Sequence, residues 1–257
     1  MRIIITNDDG IKAPGLTALY EKLRTLADVT VIAPERERSA TGHAITIHKP
    51  LRVEKTFITG NEGCGWAVSG TPSDCIKLGL KALVKQPPDL IISGINSGYN
   101  LGTDILYSGT VSAALEGILH SIPSLAVSTS TNDSKIYNNA AEIVKSIVEQ
   151  IKDKTLTAQT LLNINIPPTN IQQIKGIRIT RLGVREYDNV FEARRDPRGK
   201  IYYWLGGEAV ECRQENENID ISAVREGYVS ITPIHFDLTN HKLIPVIKNW
   251  KLNLPPK

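Results

Sequence analysis

Predicted strands and helices alternate along this 257-residue chain as far as residue 166, and this alternation limits its fold more than any other feature. Apolar and β-branched runs predict strands at 2–6, 29–33, 89–93, 124–128 and 161–166, and helical spacing of apolar residues predicts helices at 15–26, 73–84, 111–119 and 134–152. Strands joined by helices run parallel, and the helices then cover both faces of the sheet. The pattern therefore predicts an α/β fold around a mostly parallel sheet.

The sequence changes character after 166–170 (IPPTN), where the regular alternation ends. From there on the patterns predict strands at 177–181, 201–205 and 228–234 and a short helix at 220–226, with an arginine-rich stretch at 181–200. We therefore divide the chain into a core, 1–170, and an appended α+β region, 171–257.

Composition and charge exclude several classes of protein. The net charge of +3 is too small to argue for nucleic-acid binding, and no apolar run approaches the ~18 residues of a membrane span. The three cysteines, Cys64, Cys75 and Cys212, are odd in number and widely spaced, which favours free thiols in a reducing compartment. We expect a cytoplasmic protein that binds neither nucleic acid nor membranes.

Two adjacent acids, Asp8 and Asp9, follow the first predicted strand directly. Neighbouring carboxylates repel each other, and burial strengthens the repulsion. An Asp-Gly turn is one explanation, but a helix follows here and no returning strand does. Ligands of parallel sheets bind beyond the carboxyl ends of the strands. A divalent cation held by oxygen ligands, such as Mg²⁺ or Mn²⁺, is the alternative that removes the repulsion.

Other loops at the same predicted edge carry candidate oxygen donors. These are Ser39 and Thr41, with His43, after the second strand, and Asn96, Ser97 and Asn100 after the strand at 89–93. Taken alone, Ser39 reads as a solvated loop hydroxyl, and a flexible surface loop is the alternative for the stretch with Asn96. His43 is a candidate for proton transfer or for supporting the ligands, although an ordinary loop histidine is the more common case.

A third element at this edge is the stretch 107–117 (YSGTVSAALEG), in which Ser108 and Thr110 precede a helix. Free backbone N–H groups and the dipole make a helix N-terminus an anion site. Plain helix capping uses the same residue types and is the better explanation of them in isolation. Next to a metal site, the stretch indicates a phosphate-binding element and hence phosphoester hydrolysis.

Several long motifs in order resemble one protein family over nearly the whole chain. They are ITNDDG at 5–10, APERERSATGHAIT at 33–46, GTPSDCIKLGL at 70–80, PDLIISGINSGYNLGTDILYSGTVSAALEG at 88–117 and REGYVSITPIHFDLT at 225–239. The sequence is similar in these motifs to the SurE family, the survival-protein phosphatases or 5'-nucleotidases. Ile219-Asp220 departs from the Thr-Asp of many members.

The resemblance implies a Rossmann-like three-layer core and a metal-dependent phosphomonoesterase that hydrolyses nucleoside monophosphates with a metal-activated water. Some members also take 3'-nucleotides or short polyphosphates. It places one divalent ion per subunit, Mg²⁺ or Mn²⁺, on Asp8, Asp9, Ser39 and Asn96, of which we expect Asp8, Asp9 and Asn96 to be catalytic. Phosphate binding falls on Ser108, Gly109 and Thr110. A homodimer or homotetramer would form through residues 171–257, which also supply a return strand.

Three readings from other classes remain beside this one. Signalling receiver domains carry paired acids after their first strand, but they need an acid after the third strand, where this chain has Ser93-Gly94-Ile95-Asn96. Phosphatases with an aspartyl nucleophile usually separate their acids by one residue. A nucleotide-binding module without turnover is the third alternative, and phosphate release from AMP with Mn²⁺ separates it from an enzyme.

Outside the core, Arg194 and Arg195 could aid polyphosphate binding, although a solvated hairpin or a subunit contact is the more common role of such residues.

Overall fold

A nine-stranded, mostly parallel sheet forms the centre of the protein in a computed structural model that describes residues 1–60, 62–154, 156–188, 190–206, 209–210 and 218–254. The strands lie in the order β3-β4-β2-β1-β5-β6-β7-β13-β8. The α/β prediction with a mostly parallel sheet is confirmed, and the prediction that concerns Cys212 lies outside the described residues.

The structure gives each element definite bounds. The strands are β1 Arg2–Thr6, β2 Asp28–Pro34, β3 Val53–Thr59, β4 Glu62–Val68, β5 Leu90–Ser97, β6 Ser124–Thr129, β7 Leu161–Ile166, β8 Ile177–Ile179, β9 Glu186–Tyr187, β10 Val190–Arg195, β11 Ile201–Gly206, β12 Ala209–Val210 and β13 Val229–Ile234. The helices are α1 Pro14–Leu23, α2 Pro72–Leu78, α3 Gly109–Leu119, α4 Ser134–Ile151, α5 Asp220–Arg225 and α6 Leu243–Asn249.

Alternate side chains of the strands feed two separate cores. Ile3, Ile5 and Ile92 pack with α1 and α4 on one face, whereas Ile4 and Ile91 pack with α2 and α3 on the other. Because successive strand residues point to opposite faces, a continuous apolar run such as 3–5 belongs to a strand that is covered on both sides. The three-layer arrangement follows from this pattern.

The chain reverses its direction of winding at the centre of the sheet. From β1 it moves outward on one side through β2 to β4, and then crosses back so that β5 pairs with β1 on the other side. Both pairings of β1 are parallel. Such a reversal leaves a crevice beyond the carboxyl ends of the two strands, where open α/β sheets bind ligands. Asp8 follows β1 directly, and Asn96 lies at the end of β5.

Three details between residues 53 and 97 differ from the sequence prediction. The antiparallel pair β3–β4 was not predicted, because Gly60, Gly63 and Gly65 interrupt its apolar pattern. The predicted helix 73–84 is an α-helix only as far as Leu78 and continues as a π-helix over Gly79–Leu83. The strand predicted at 89–93 runs on to Ser97 with a register shift between Ser93 and Asn96. This longer strand carries its polar residues out to the crevice.

The region 171–257 is tied to the main sheet. Strand β13 returns antiparallel to β7, and β8 pairs parallel with β13 at the edge. Two further small sheets, β10–β11 and β9–β12, are antiparallel pairs. The division at residue 170 stays a prediction, since strands from both sides of it share one sheet.

Cys64 and Cys75 are free thiols, the first exposed and the second buried. None of the helices in the described ranges is long and apolar enough to cross a membrane.

Candidate active site

The carboxylate of Asp8 lies at the centre of the crevice and contacts the start of α3. Its side chain is buried, and the hydroxyl of Thr110 donates a 2.5 Å hydrogen bond to Oδ1. Gly109 sits so close that a Cβ added to it would lie 2.9 Å from both Cβ and Oδ2 of Asp8. Helix α3 therefore fixes the orientation of the first acid.

The second acid, Asp9, contacts the end of β5. The backbone N–H of Ser97 donates to its Oδ2 at 3.1 Å. The neighbouring Asn96 donates its own amide N–H to the carbonyl of Gly98 at 2.8 Å, which leaves the amide oxygen as the atom that could bind a cation. The structure thus brings together the acids after β1 and the polar end of β5, as the sequence predicted from parallel strands.

Both carboxyl groups have raised pKa values. Burial raises the pKa of Asp8 to about 6; the hydrogen bond from Thr110 opposes this shift, and the charge of Asp9 adds to it. Burial also raises the pKa of Asp9, against the hydrogen bond from Ser97 and with a further contribution from the charge of Glu37. The charged neighbours that act on these two groups are themselves acids, so the pair concentrates negative charge that a cation would neutralise.

Ser39 reaches the site only indirectly in this structure. The backbone N–H of Arg38 donates to the carbonyl of Asp8 at 2.7 Å, which brings the loop after β2 to the crevice. The hydroxyl of Ser39, however, donates to a carboxylate oxygen of Glu37 at 2.6 Å. Its role as a metal ligand stays a prediction, and it requires the hydroxyl to turn away from Glu37.

The start of α3 is capped by Ser108 and lies against Asp8. Ser108 is the N-cap, and its hydroxyl accepts the N–H of Val111 at 3.1 Å. That hydroxyl keeps its own hydrogen for donation, and the N–H of Gly109 precedes the intrahelical bonds. The hydroxyl of Thr110, the third predicted phosphate ligand, donates its hydrogen to the carboxylate of Asp8 in this structure.

The donor set suits a hard divalent cation. Within the described ranges, no group of three or more His, Cys, Asp or Glu side chains could hold a metal ion. The predicted set has only two such side chains, Asp8 and Asp9, and completes its coordination with hydroxyl and amide oxygens. Two carboxylates with raised pKa values and neutral oxygens nearby fit Mg²⁺ or Mn²⁺, which prefer oxygen ligands.

No signal in the sequence indicated the buried carboxylate of Glu116, which lies two turns along α3 from Gly109. His43 lies 2.8 Å from its Oε2, and Lys77 and His120 lie 3.3 and 3.2 Å from its Oε1. The hydrogen bond with His43 is the largest influence that lowers the pKa of Glu116. His43 therefore ties the loop that carries Ser39 to α3, which makes it a supporting residue.

A group of buried asparagines holds the loop after β5. The side-chain oxygen of Asn165 accepts the N–H of Asn100 at 2.9 Å, the carbonyl of Asn100 accepts the amides of Asn163 and Asn165, and its side chain donates to Ser128 at 2.7 Å. Asn100, a candidate donor in the sequence, is thus a structural residue.

The hairpin with Arg194 and Arg195 is exposed, and Arg194 pairs with Glu192 at 2.9 Å.

Comparison with known proteins adds independent information. The sequence matches a family model described as "Survival protein SurE" over residues 3–189. It is 51% identical over 250 residues to the 5'-nucleotidase SurE of Heliobacterium modesticaldum, covering 97% of this chain and 92% of that protein. It is 52% identical over 248 residues to the 5'-nucleotidase SurE of Pelotomaculum thermopropionicum, covering 96% and 94%. The crystal structure of the SurE protein from Aquifex aeolicus superposes with a TM-score of 0.84 at 40% identity, over 98% of this chain and 100% of that one.

Proposed function

The chain belongs to the SurE family, and we propose on this basis that it is a metal-dependent 5'-nucleotidase, which hydrolyses nucleoside monophosphates to nucleoside and phosphate. One observation of the structure supports the chemistry above all others. The buried acid Asp8, which follows β1, contacts the start of α3 directly, at Gly109 and Thr110. This contact supports a metal site and a phosphate site side by side, an arrangement that suits phosphoester hydrolysis.

We assign the metal to Asp8, Asp9, Ser39 and Asn96, with one Mg²⁺ or Mn²⁺ per subunit. A divalent ion held by these residues would polarise the phosphoryl oxygens and lower the pKa of a water molecule. Two carboxylates against a doubly charged ion leave the site close to neutral, so that an anionic substrate can approach. Thr110 contributes by holding the carboxylate of Asp8 in one orientation.

The protein groups around the phosphate act by stabilising negative charge. The hydroxyl of Ser108 and the N–H of Gly109 lie at the positive end of α3 and can donate to the non-bridging oxygens as charge develops in the transition state. Because these donors are fixed by the helix, they need little rearrangement during the reaction. Asn96, near the end of β5, is the proposed source of the amide oxygen for the metal.

The proposed activity is tested by measuring phosphate release from a substrate panel. The panel contains 5'-AMP, 5'-GMP, 5'-CMP and 5'-UMP, with 3'-AMP and tripolyphosphate for the two wider activities of the family, each with Mg²⁺, Mn²⁺ or EDTA. We expect release from 5'-nucleotides with Mn²⁺ or Mg²⁺ and at least a 100-fold loss in EDTA. Full activity after removal of the metal contradicts the metal-dependent scheme, and AMP binding without release of phosphate favours the non-catalytic binding module.

We also propose that the chain forms a homodimer or homotetramer through the region 171–257. This region exposes large apolar side chains on β10–β11 and on and around α6, namely Phe191, Ile201, Tyr203, Trp204, Leu205, Leu238, Leu243, Trp250, Leu252 and Leu254. An apolar surface of this kind marks an interaction site. Light scattering after size exclusion should give a multiple of the 28.3 kDa subunit mass, and Trp204→Lys should reduce it. A wild-type monomer at every concentration contradicts this proposal.

A further inference from the structure

Asp220, the first residue of α5, is a fully buried carboxylate that backbone donors surround. Its Oδ2 accepts the N–H of Gly102 at 2.7 Å, and its Oδ1 accepts the N–H groups of Gly183 at 2.8 Å and Ile221 at 2.9 Å. Burial raises its pKa, and the three backbone bonds oppose that shift. Burying a charge costs free energy unless hydrogen bonds compensate for the lost water, so these three bonds are what allow the carboxylate to stay buried.

The segments that Asp220 joins are distant in the sequence. Gly102 begins a single 3₁₀ turn, Gly102–Leu106, that leads through Tyr107 to Ser108. Gly183 belongs to the C-terminal region. The two backbones touch, because a Cβ added to Gly102 would lie 2.8 Å from the carbonyl oxygen of Gly183, and Gly102 has φ +53°. The close approach therefore needs glycine at 102 and a carboxylate that binds both N–H groups.

A second row of contacts continues alongside the same turn. The hydroxyl of Thr103 donates to the carbonyl of Arg185 at 2.9 Å. The carboxylate of Asp104 accepts the guanidinium of Arg185 at 2.7 Å and the hydroxyl of Tyr187 at 2.6 Å. Residues 183–187 thus run along the turn that precedes the phosphate-binding start of α3, and Asp220 holds the end of this contact.

We propose that Asp220 is a positioning residue for phosphate binding: by holding the turn 102–106, it sets the place of Ser108 and of the Gly109 N–H. This inference rests on the proposed function of the crevice. The metal ligands Asp8, Asp9 and Asn96 are held mainly by β1 and β5, and the turn 102–106 acts on them only through the contact of α3 with Asp8. Loss of Asp220 should therefore weaken binding of phosphate much more than binding of the metal.

The test uses Asp220→Asn in the full chain, with Asp196→Asn as the matched control. Asp196 is also a carboxylate that accepts two backbone N–H groups, from Arg198 and Lys200, but in an exposed turn of the same region. For Asp220→Asn we expect kcat/KM on 5'-AMP to fall 10- to 100-fold, the affinity for inorganic phosphate about 10-fold, and the Mn²⁺ dissociation constant to stay within about twofold. Amide hydrogen exchange should accelerate in 102–108. The control should match the wild type.

A second variant keeps the proposal testable if Asp220→Asn does not fold. Asp104→Asn removes the partner of Arg185 without leaving a buried charge, and it should shift exchange and phosphate affinity in the same direction by a smaller factor. Unchanged exchange at 102–108 with unchanged phosphate affinity overturns the proposal, and so does a parallel loss of Mn²⁺ affinity. Phosphate affinity and amide exchange can be measured without turnover. A failure of the proposed function, seen as no phosphate release by the wild type, is therefore distinguishable from a failure of this inference.

Discussion

Asp8→Asn is expected to abolish turnover and, at the same time, to make the metal-free protein more stable above pH 6. The two effects have one cause. The buried carboxylate is needed to bind the metal and so to act on the substrate. In the metal-free protein, its removal from water makes the charged form unfavourable and lowers the stability of the folded state. We expect kcat to fall by about three orders of magnitude, which is typical when a central charge-bearing group of a site is lost.

The gain in stability follows from the direction of the pKa shift. The pKa of Asp8 is about 6 in the folded state against 3.8 in the unfolded state. Between these values the folded state binds more protons, so stability falls as the pH rises from about 4 to 6 and stays lower above it. The shift corresponds to about 3 kcal/mol at pH 8, and the weaker bond of a neutral amide to Thr110 offsets about 1 kcal/mol of the gain. The melting temperature should rise by several degrees.

The measurement is thermal unfolding in EDTA at pH 8.0 and 4.5, with phosphate release from 5'-AMP in Mn²⁺. The advantage of Asp8→Asn should shrink at pH 4.5. Saturating Mn²⁺ should reverse the order of stability, since a ligand at 100 times its dissociation constant stabilises the wild type by about 2.7 kcal/mol. Asp153→Asn, an exposed acid after the end of α4, is the control and should change neither property. A destabilised Asp8→Asn protein in EDTA at pH 8.0 would refute this account.

Gly109→Ala should reduce kcat/KM by about 100-fold with little change in stability. Its new methyl group would lie 2.9 Å from Cβ and Oδ2 of Asp8, and Cβ cannot move away without the backbone of the loop after β1. We therefore expect the carboxylate to turn out of the site and the Mn²⁺ affinity to fall about 10-fold. Alanine favours a helix over glycine by about 1 kcal/mol, which compensates part of the steric cost in the free energy of unfolding.

Gly60→Ala is the matched control for this substitution. An added Cβ at Gly60 meets nothing within 4 Å, but its φ of +48° makes alanine cost about 1–2 kcal/mol. This control should lose stability and keep its activity, whereas Gly109→Ala should lose activity and change little in stability. Isothermal titration with Mn²⁺ and steady-state kinetics separate the two. If Gly109→Ala keeps full Mn²⁺ affinity and kcat, the close contact of α3 with Asp8 has no part in the reaction.

Part of the candidate site was predictable because it depends on local signals. Asp8 and Asp9 follow a run of β-branched residues, and parallel strands place their carboxyl ends at one edge. Ser108 and Gly109 open a helix with an ordinary capping signal. Ser39 was one of several candidates in the loop after the second strand, and its assignment as a metal ligand came from the resemblance. The direct bond of Thr110 to Asp8 carries no sequence signal, because a threonine at that position reads equally well as a phosphate ligand.

The layered α/β core could be read from the amino-acid order, since the period of the apolar residues selects strands covered on both faces and helices with one buried side. The same order places two acids directly after the first strand. Three further features became visible only in the folded chain: β5 lies beside β1, α3 touches Asp8, and Asp220 binds Gly102, 118 residues away. Hydrophobic periodicity is a local property, whereas the partner of a buried polar group is set by the packing of the whole chain.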